Sequence, residues 1–166
     1  INLAVILAVA GLFVWGYSTK SGGTTASVQG ADNADNVASL LAATEKMYDF
    51  GAISMKDGNV TKEFTITNPT AQDITVRTIL TSCMCTNAFI VKLDGSVKGP
   101  FGMLGHGGFS PPADEIIKAG ESRVIRVVFD PNAHGPAGVG RIDRFIALTD
   151  AAGGTLQLEI KALVTP

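Results

Sequence analysis

The chain has 166 residues and a formal net charge of −2, and its 13 lysines and arginines stand singly along the sequence rather than in clusters. Because nucleic acids are bound through clustered basic side chains, we expect no nucleic-acid partner. The length suits one folded domain with a buried core, the 2 cysteines are too few for a scaffold built on disulfides, and the 19 glycines favour strands and turns over a helical bundle.

The N-terminal segment, residues 1–17, is apolar and carries no charged side chain. As a helix it would extend roughly 25 Å, just short of a bilayer core. Trp15 and Tyr17 suit a membrane interface, and Lys20 returns the chain to water. We predict an uncleaved transmembrane or filament-core helix that holds the protein outside the cytoplasm, at the membrane or cell surface. The chain starts at Ile1 without Met, so we expect a leader that is missing or cleaved, and both imply export.

This segment resembles the N-terminal helix of type IV and archaeal pilins, which pack together in the core of a filament. Val5 stands where bacterial pilins usually carry glutamate, and Gly22 and Gly23 would end the helix sooner than in most pilins. The resemblance implies self-association through the N-terminal helix. We therefore expect either a homo-oligomer or binding to another protein of the cell envelope.

Residues 18–45 are predicted to be a flexible spacer, because most of this stretch is small, polar and interrupted by glycine. Asn36 could cap a short helix over Val37–Thr44, in which Val37 and Leu40 would share a face. The folded domain is then expected to occupy residues 46–166.

From Lys46 onward, apolar residues recur with a period of two, which is typical of strands with one buried face. About seven strands suit an all-β antiparallel sandwich. The predicted strands are Lys46–Ser54, Val60–Asn68, Ile74–Leu80, Phe89–Leu93, Arg123–Phe129, Arg141–Leu148 and Leu156–Val164. The stretch Gly99–Pro112 is rich in glycine and proline, and it is therefore predicted to be a long structured loop without a regular strand.

Several short motifs recur in a fixed order from Lys46 to Val164. They are YDFGAIS at Tyr48–Ser54, FTITN at Phe64–Asn68, TSCMCT at Thr81–Thr86, KAGES at Lys118–Ser122 and VVFDP at Val127–Pro131. In this order they resemble the Hydin-like, immunoglobulin-type domain-of-unknown-function family. The resemblance implies an exported bacterial immunoglobulin-like β-sandwich whose biochemical role is not established. Met84 replaces the family's usual glycine and the Phe89–Pro112 stretch is long, a variant typical of candidate-phyla bacteria.

The two cysteines, Cys83 and Cys85, are separated by one residue. On a strand, that spacing directs both thiols to the same side, where they could jointly bind a soft metal ion. A disulfide would close a small strained ring, although an oxidising compartment permits strained bridges. Metal binding, a thiol redox or disulfide role, and plain structural thiols therefore all remain open.

Met103 and His106 lie in the glycine-rich loop and would complete a metal site with Cys83 and Cys85. Two thiolates with a thioether or imidazole suit Cu(I), whereas two thiolates with two imidazoles suit Zn(II). Copper is therefore the expected ion and zinc the alternative. His134 also offers an imidazole, but in its turn-rich stretch a surface histidine is the ordinary expectation.

No phosphate loop, paired catalytic carboxylates or nucleophile–base spacing occurs in the sequence, so we expect no enzymatic activity. The leading hypothesis is a structural or adhesion protein of the cell envelope, anchored by its N-terminal helix and forming the subunit of a pilus-like surface filament. The alternatives are an extracytoplasmic copper- or zinc-binding protein and a thiol redox or sensor domain.

Overall fold

The computed structural model of the protein describes residues 37–105 and 110–166. The apolar segment 1–17, the larger part of the predicted spacer and His106 lie outside these residues, so the predictions made for them stay predictions. Within the described part, no helix is long and apolar enough to cross a membrane.

The described chain forms ten strands and two short 3-10 helices, Met55–Asp57 and Gly135–Gly138. In chain order the strands are β1 (Ala42–Ala43), β2 (Met47–Ser54), β3 (Val60–Thr67), β4 (Ile74–Thr81), β5 (Thr86–Val91), β6 (Val97–Phe101), β7 (Glu115–Ile117), β8 (Ser122–Phe129), β9 (Gly140–Asp150) and β10 (Thr155–Thr165). All seven strands predicted from the alternation are present, with ends shifted by a few residues.

The strands form two five-stranded sheets with the orders β1-β3-β8-β5-β6 and β2-β10-β9-β4-β7. Strand β2 runs parallel to β10, with Tyr48 opposite Ile160, whereas every other named strand pair is antiparallel. The expected all-β fold is therefore confirmed. The described residues form ten strands rather than about seven, because β1, β6 and β7 are too short or irregular to show a period of two. The sandwich is antiparallel as expected except at the β2–β10 pair.

The core lies between the two sheets and follows from the alternation along each strand. On β10 the inward side chains Leu158 and Ile160 are fully buried, and β3 contributes Phe64 and Ile66 in the same way. Isoleucine is the most frequent residue of this core because its branched side chain packs well on a pleated surface. This packing fixes the register of each strand, since a slip of one residue would expose its buried set.

The short helix expected over Val37–Thr44 is wrong. Ala42 and Ala43 instead pair with Thr67 and Ile66 of β3, and Leu41 inserts into the core at 4% exposure. A brief helical periodicity is weak compared with strand pairing and core burial, so tertiary contacts decide the conformation. The packed part of the chain consequently begins before residue 46, inside the stretch predicted to be a spacer.

The loop predicted over Gly99–Pro112 also needs correction at its start, because β6 extends through Phe101. Pro100 is tolerated because β6 is an edge strand, where one backbone N–H is not required for pairing. The side chain of Phe101 is fully buried in the core. The irregular stretch therefore starts after a strand that anchors it to β5.

Candidate thiol site at one end of the sandwich

Cys83 and Cys85 lie in the turn that carries the chain from β4 in one sheet to β5 in the other. Their sulfurs are bonded to each other, and their Cα atoms are 5.3 Å apart. The expectation that they share one side of a strand is wrong, because the chain turns here and directs one sulfur toward the other. Of the roles left open by the sequence, the structure thus presents the disulfide.

The turn is held by hydrogen bonds that do not involve sulfur. Cys83 O accepts from Thr86 N at 3.1 Å and from Thr81 Oγ1 at 3.1 Å. Thr81 Oγ1 also lies 3.0 Å from Thr86 O, and Cys85 O accepts from Asp130 N at 2.9 Å. Thr81 and Thr86 are both buried, which strengthens these bonds by excluding water. The backbone of the turn is therefore fixed from both sheets without the disulfide.

The two sulfurs differ in their access to solvent. Cys85 belongs to the core and is 1% exposed, whereas Cys83 is only partly buried. Met84, between them, is 55% exposed and points away from the core. Of the two residues, Cys83 therefore offers the larger surface to an incoming reagent.

Arg144 places a positive charge next to the buried sulfur. It lies on β9 on the same side as the buried Ile142 and Ile146, and its Nε donates to Cys85 Sγ at 3.3 Å. Burial lowers the pKa of the guanidinium below its usual value, and the carboxylate of Asp143 acts in the opposite direction. Arginine nevertheless keeps its charge at physiological pH. A cation beside a sulfur favours the thiolate over the thiol, so this contact would favour the thiolate of Cys85 once the disulfide is reduced.

His134 places an imidazole next to the more accessible sulfur. Its Nε2 lies 3.1 Å from Cys83 Sγ, and the side chain is otherwise exposed. It lies in the loop between β8 and β9, where Asn132 Nδ2 donates to Met55 O at 2.8 Å. His134 is exposed, as predicted for its turn-rich stretch, but its contact with Cys83 has no signal in the sequence. Only the pairing of β8 with β5 brings this loop next to the cysteine turn.

The predicted ligand residues Met103 and His106 are placed only in part. Gly102 O accepts from Thr81 N at 3.2 Å, so the loop that carries Met103 starts beside the end of β4. His106 lies outside the described residues. Among residues 37–105 and 110–166, the group of histidine, cysteine and carboxylate ligand atoms lying within 4.8 Å of one another comprises Cys83, Cys85 and His134.

A groove of about 510 Å³ runs along β2, β9 and β10, close to Arg144. Lys161 Nζ lies 2.7 Å from Glu159 Oε1 and 3.7 Å from Asp143 Oδ2. Burial, followed by the hydrogen bond with Glu159, raises the pKa of Asp143. These ionic contacts lie on the sheet surface beside the thiol site and touch neither sulfur.

A family model matches the chain over residues 41–93, and that family is described as Protein of unknown function (DUF1573). The match includes the YDFGAIS, FTITN and TSCMCT motifs, and it ends before the KAGES and VVFDP motifs. It covers about a third of the chain, so the chain is similar to this family in that region. The narrower Hydin-like resemblance stays a prediction. No curated protein matches the chain.

Several solved structures are similar to the chain, and at these low sequence identities the similarity is informative about the fold alone. A protein of unknown function from Porphyromonas gingivalis W83 has a TM-score of 0.53 and 14% identity, over 81% of this chain and 51% of that one. A family 123 glycoside hydrolase from Clostridium perfringens has a TM-score of 0.50 and 8% identity, over 72% and 22%. A human ASH/PapD-like domain of CEP192 has a TM-score of 0.46 and 10% identity, over 87% and 97%. The chain spans about half the length of the first of these structures.

Proposed function

We propose that this protein is an extracytoplasmic thiol–disulfide exchange domain that acts stoichiometrically on partner thiols rather than as an enzyme. One observation carries the proposal: the Cys83–Cys85 bond has one accessible and one buried sulfur, the first beside His134 and the second beside Arg144. Disulfides persist in oxidising compartments outside the cytoplasm, which supports the location. The predicted export segment, residues 1–17, is consistent with it.

A purely structural role for this disulfide is less well supported, because the bond links residues only 2 apart in sequence. In the chain-entropy model, so short a loop adds about 1.6 kcal/mol of stability, compared with roughly 3 kcal/mol for a loop of about fifteen residues. The turn is also already held by Thr81, Thr86 and Asp130. A bond that adds little to stability is better explained by its chemistry.

The contacts define the direction of exchange. A partner thiolate attacks Cys83 Sγ and forms a new sulfur–sulfur bond there, while the Cys83–Cys85 bond breaks and its electron pair passes to Cys85 Sγ. Arg144 stabilises the resulting thiolate, and a leaving thiolate of lower pKa departs faster. A second partner thiolate then attacks the partner sulfur that is bound to Cys83 and releases Cys83 as a thiolate, and the two cysteine thiolates take up two protons from solvent. The partner is oxidised to a disulfide, and this protein becomes a dithiol.

Exchange with a small dithiol provides the test. We expect dithiothreitol to reduce the folded chain, and reoxidation to restore the bond, as followed by mass spectrometry after alkylation. Cys85→Ser should form a mixed disulfide with oxidised glutathione at Cys83 within minutes, whereas Cys83→Ser should react much more slowly at buried Cys85. Met84→Ala is the matched surface control and should exchange like the native chain. Reduction that requires unfolding, or equal trapping on both cysteines, would contradict the proposal.

The second candidate is the predicted structural or adhesion role in the cell envelope, through self-association in a pilus-like filament. The observation that favours it is β2, an eight-residue strand at the edge of its sheet with β10 as its described neighbour. Strand edges present unpaired backbone groups to which another chain can add. Electron microscopy of the purified native protein tests this role. Filaments would support it, whereas isolated monomers in detergent would end the filament proposal.

A further inference from the structure

We infer that the reduced form of this site binds one Cu(I) ion through the thiolates of Cys83 and Cys85 and the imidazole of His134. The inference rests on the proposed function, because the disulfide must open before the sulfurs can act as ligands. It differs from the ligand set predicted from the sequence, in which Met103 and His106 completed the site. The three residues lie on two separate loops, and the pairing of β8 with β5 brings these loops together.

The distances suit a small ion after modest movement. The ligand atoms of the three side chains lie within 4.8 Å of one another, and His134 Nε2 is 3.1 Å from Cys83 Sγ. Metal–sulfur bonds of about 2.3 Å and metal–nitrogen bonds of about 2.0 Å place the donors of a trigonal site roughly 3.8–4 Å apart. Breaking the disulfide lets the sulfurs separate toward that distance. His134 is exposed and free to rotate its ring away from Cys83 by the small amount required.

The number and type of ligands favour Cu(I) over Zn(II). Two thiolates and one imidazole are soft or intermediate donors, which suit Cu(I) in a three-coordinate site. Structural zinc sites almost always use four protein ligands, and the described group offers three. His106 lies outside the described residues, so its contribution is examined by the experiment below.

The charge of the surroundings points to the same ion. Two thiolates around Cu(I) carry a net charge of −1, which the adjacent Arg144 guanidinium balances. With Zn(II) the site would be neutral and Arg144 would face no net opposite charge. The Arg144 Nε–H bond to Cys85 would also orient that thiolate, as outer hydrogen bonds commonly do at metal sites.

The electrons and protons of the binding step balance without a further oxidant. A dithiol or phosphine reductant supplies two electrons and converts the disulfide into two thiols. Cu(I) then displaces one proton from each thiol, and the neutral imidazole of His134 adds through its lone pair. Because two protons leave for each ion bound, affinity rises with pH. Reoxidation of the cysteines removes both sulfur ligands, so the disulfide and the copper-bound form exclude each other.

Anaerobic titration of the full chain tests the site. The chain is reduced with a phosphine, its thiols are counted by mass spectrometry, and Cu(I) is added in competition with bicinchoninate. We expect one ion per chain and an X-ray absorption spectrum with two sulfur neighbours and one nitrogen neighbour. His134→Gln should weaken binding at least tenfold, whereas Met84→Ala and His106→Gln should leave it unchanged. Circular dichroism verifies that each variant is folded.

The possible failures are distinguishable. A fully reduced, folded chain that binds no Cu(I) would overturn the metal site and leave thiol exchange intact. A disulfide that resists the phosphine in the folded chain would overturn both proposals. Equal weakening by His106→Gln and His134→Gln, or tighter binding of Zn(II) than of Cu(I) in parallel competition, would overturn the assigned ligands or the assigned ion.

Discussion

Arg144 Nε lies 3.3 Å from the sulfur of Cys85. A cation on β9 of one sheet therefore contacts the buried half of a disulfide that lies just before β5 of the other sheet. The other half, Cys83, contacts an imidazole at 3.1 Å. The two sulfurs therefore have different surroundings, because the buried one lies beside a cation and the more exposed one lies beside an imidazole. This arrangement makes Arg144 the most informative residue for mutation.

Replacing Arg144 with glutamine should slow reduction of the disulfide by dithiothreitol about threefold to tenfold, because the leaving Cys85 thiolate loses its positive neighbour. Quenched-flow alkylation gives the rate. Arg141→Gln is the matched control, since Arg141 is exposed on the same strand and its substitution removes the same charge. An equal decrease in both variants would indicate a general charge effect and contradict the role of Arg144.

Reduction of the disulfide should lower the free energy of unfolding by about 1.6 kcal/mol or less, because the bond closes so short a loop. Urea denaturation with and without a phosphine reductant measures this difference. The double variant C83A/C85A should show no response to the reductant. A loss above roughly 4 kcal/mol, in the range of long-loop disulfides, would favour a structural role for the bond.

Asn68→Ala should destabilise the fold by about 2–4 kcal/mol. The Asn68 side chain is fully buried, its Nδ2 donates to Gln72 O at 2.7 Å and Ile117 O at 2.9 Å, and its Oδ1 accepts from Thr70. Removing it takes away the hydrogen bonds of a fully buried side chain, including the buried one to Ile117 O, which accounts for the magnitude. Thermal and urea denaturation measure the effect. The exposed Asn87→Ala is the control and should change stability by less than about 0.5 kcal/mol.

Asp143 should make the fold less stable as the pH rises. Burial, then its bond with Glu159, raises the pKa of Asp143 above the usual 3.8, so the folded chain holds this proton more tightly than the unfolded chain. Stability therefore falls as the pH increases from about 3.8 through the raised pKa. Asp143→Asn should lack this decrease and gain stability relative to the native chain between pH 3 and pH 7. Melting temperatures measured over that range check the prediction, with exposed Asp57→Asn as control. If Asp143→Asn instead lost stability relative to the native chain as the pH rises, the prediction would be contradicted.

The regular strands could be predicted from the sequence because each buries one face, and alternation such as Leu156, Leu158 and Ile160 records that burial directly. Three strands could not. Ala42–Ala43 is too short to show a period, β6 contains Pro100, and Glu115–Ile117 has only three residues. Their conformation depends on partners supplied by distant parts of the chain, which no local pattern records.

The sequence by itself determined that this is a β-rich domain, and it singled out Cys83 and Cys85 as the chemically distinctive residues. Only the tertiary structure decided what surrounds them. His134 lies 51 residues from Cys83 and Arg144 lies 59 residues from Cys85, and strand pairing alone brings them to the two sulfurs. The alternation of apolar and polar residues is a local pattern, because each strand carries in its own sequence which of its side chains are buried. The site depends on which loops meet at one end of two packed sheets, and that is a property of the whole fold.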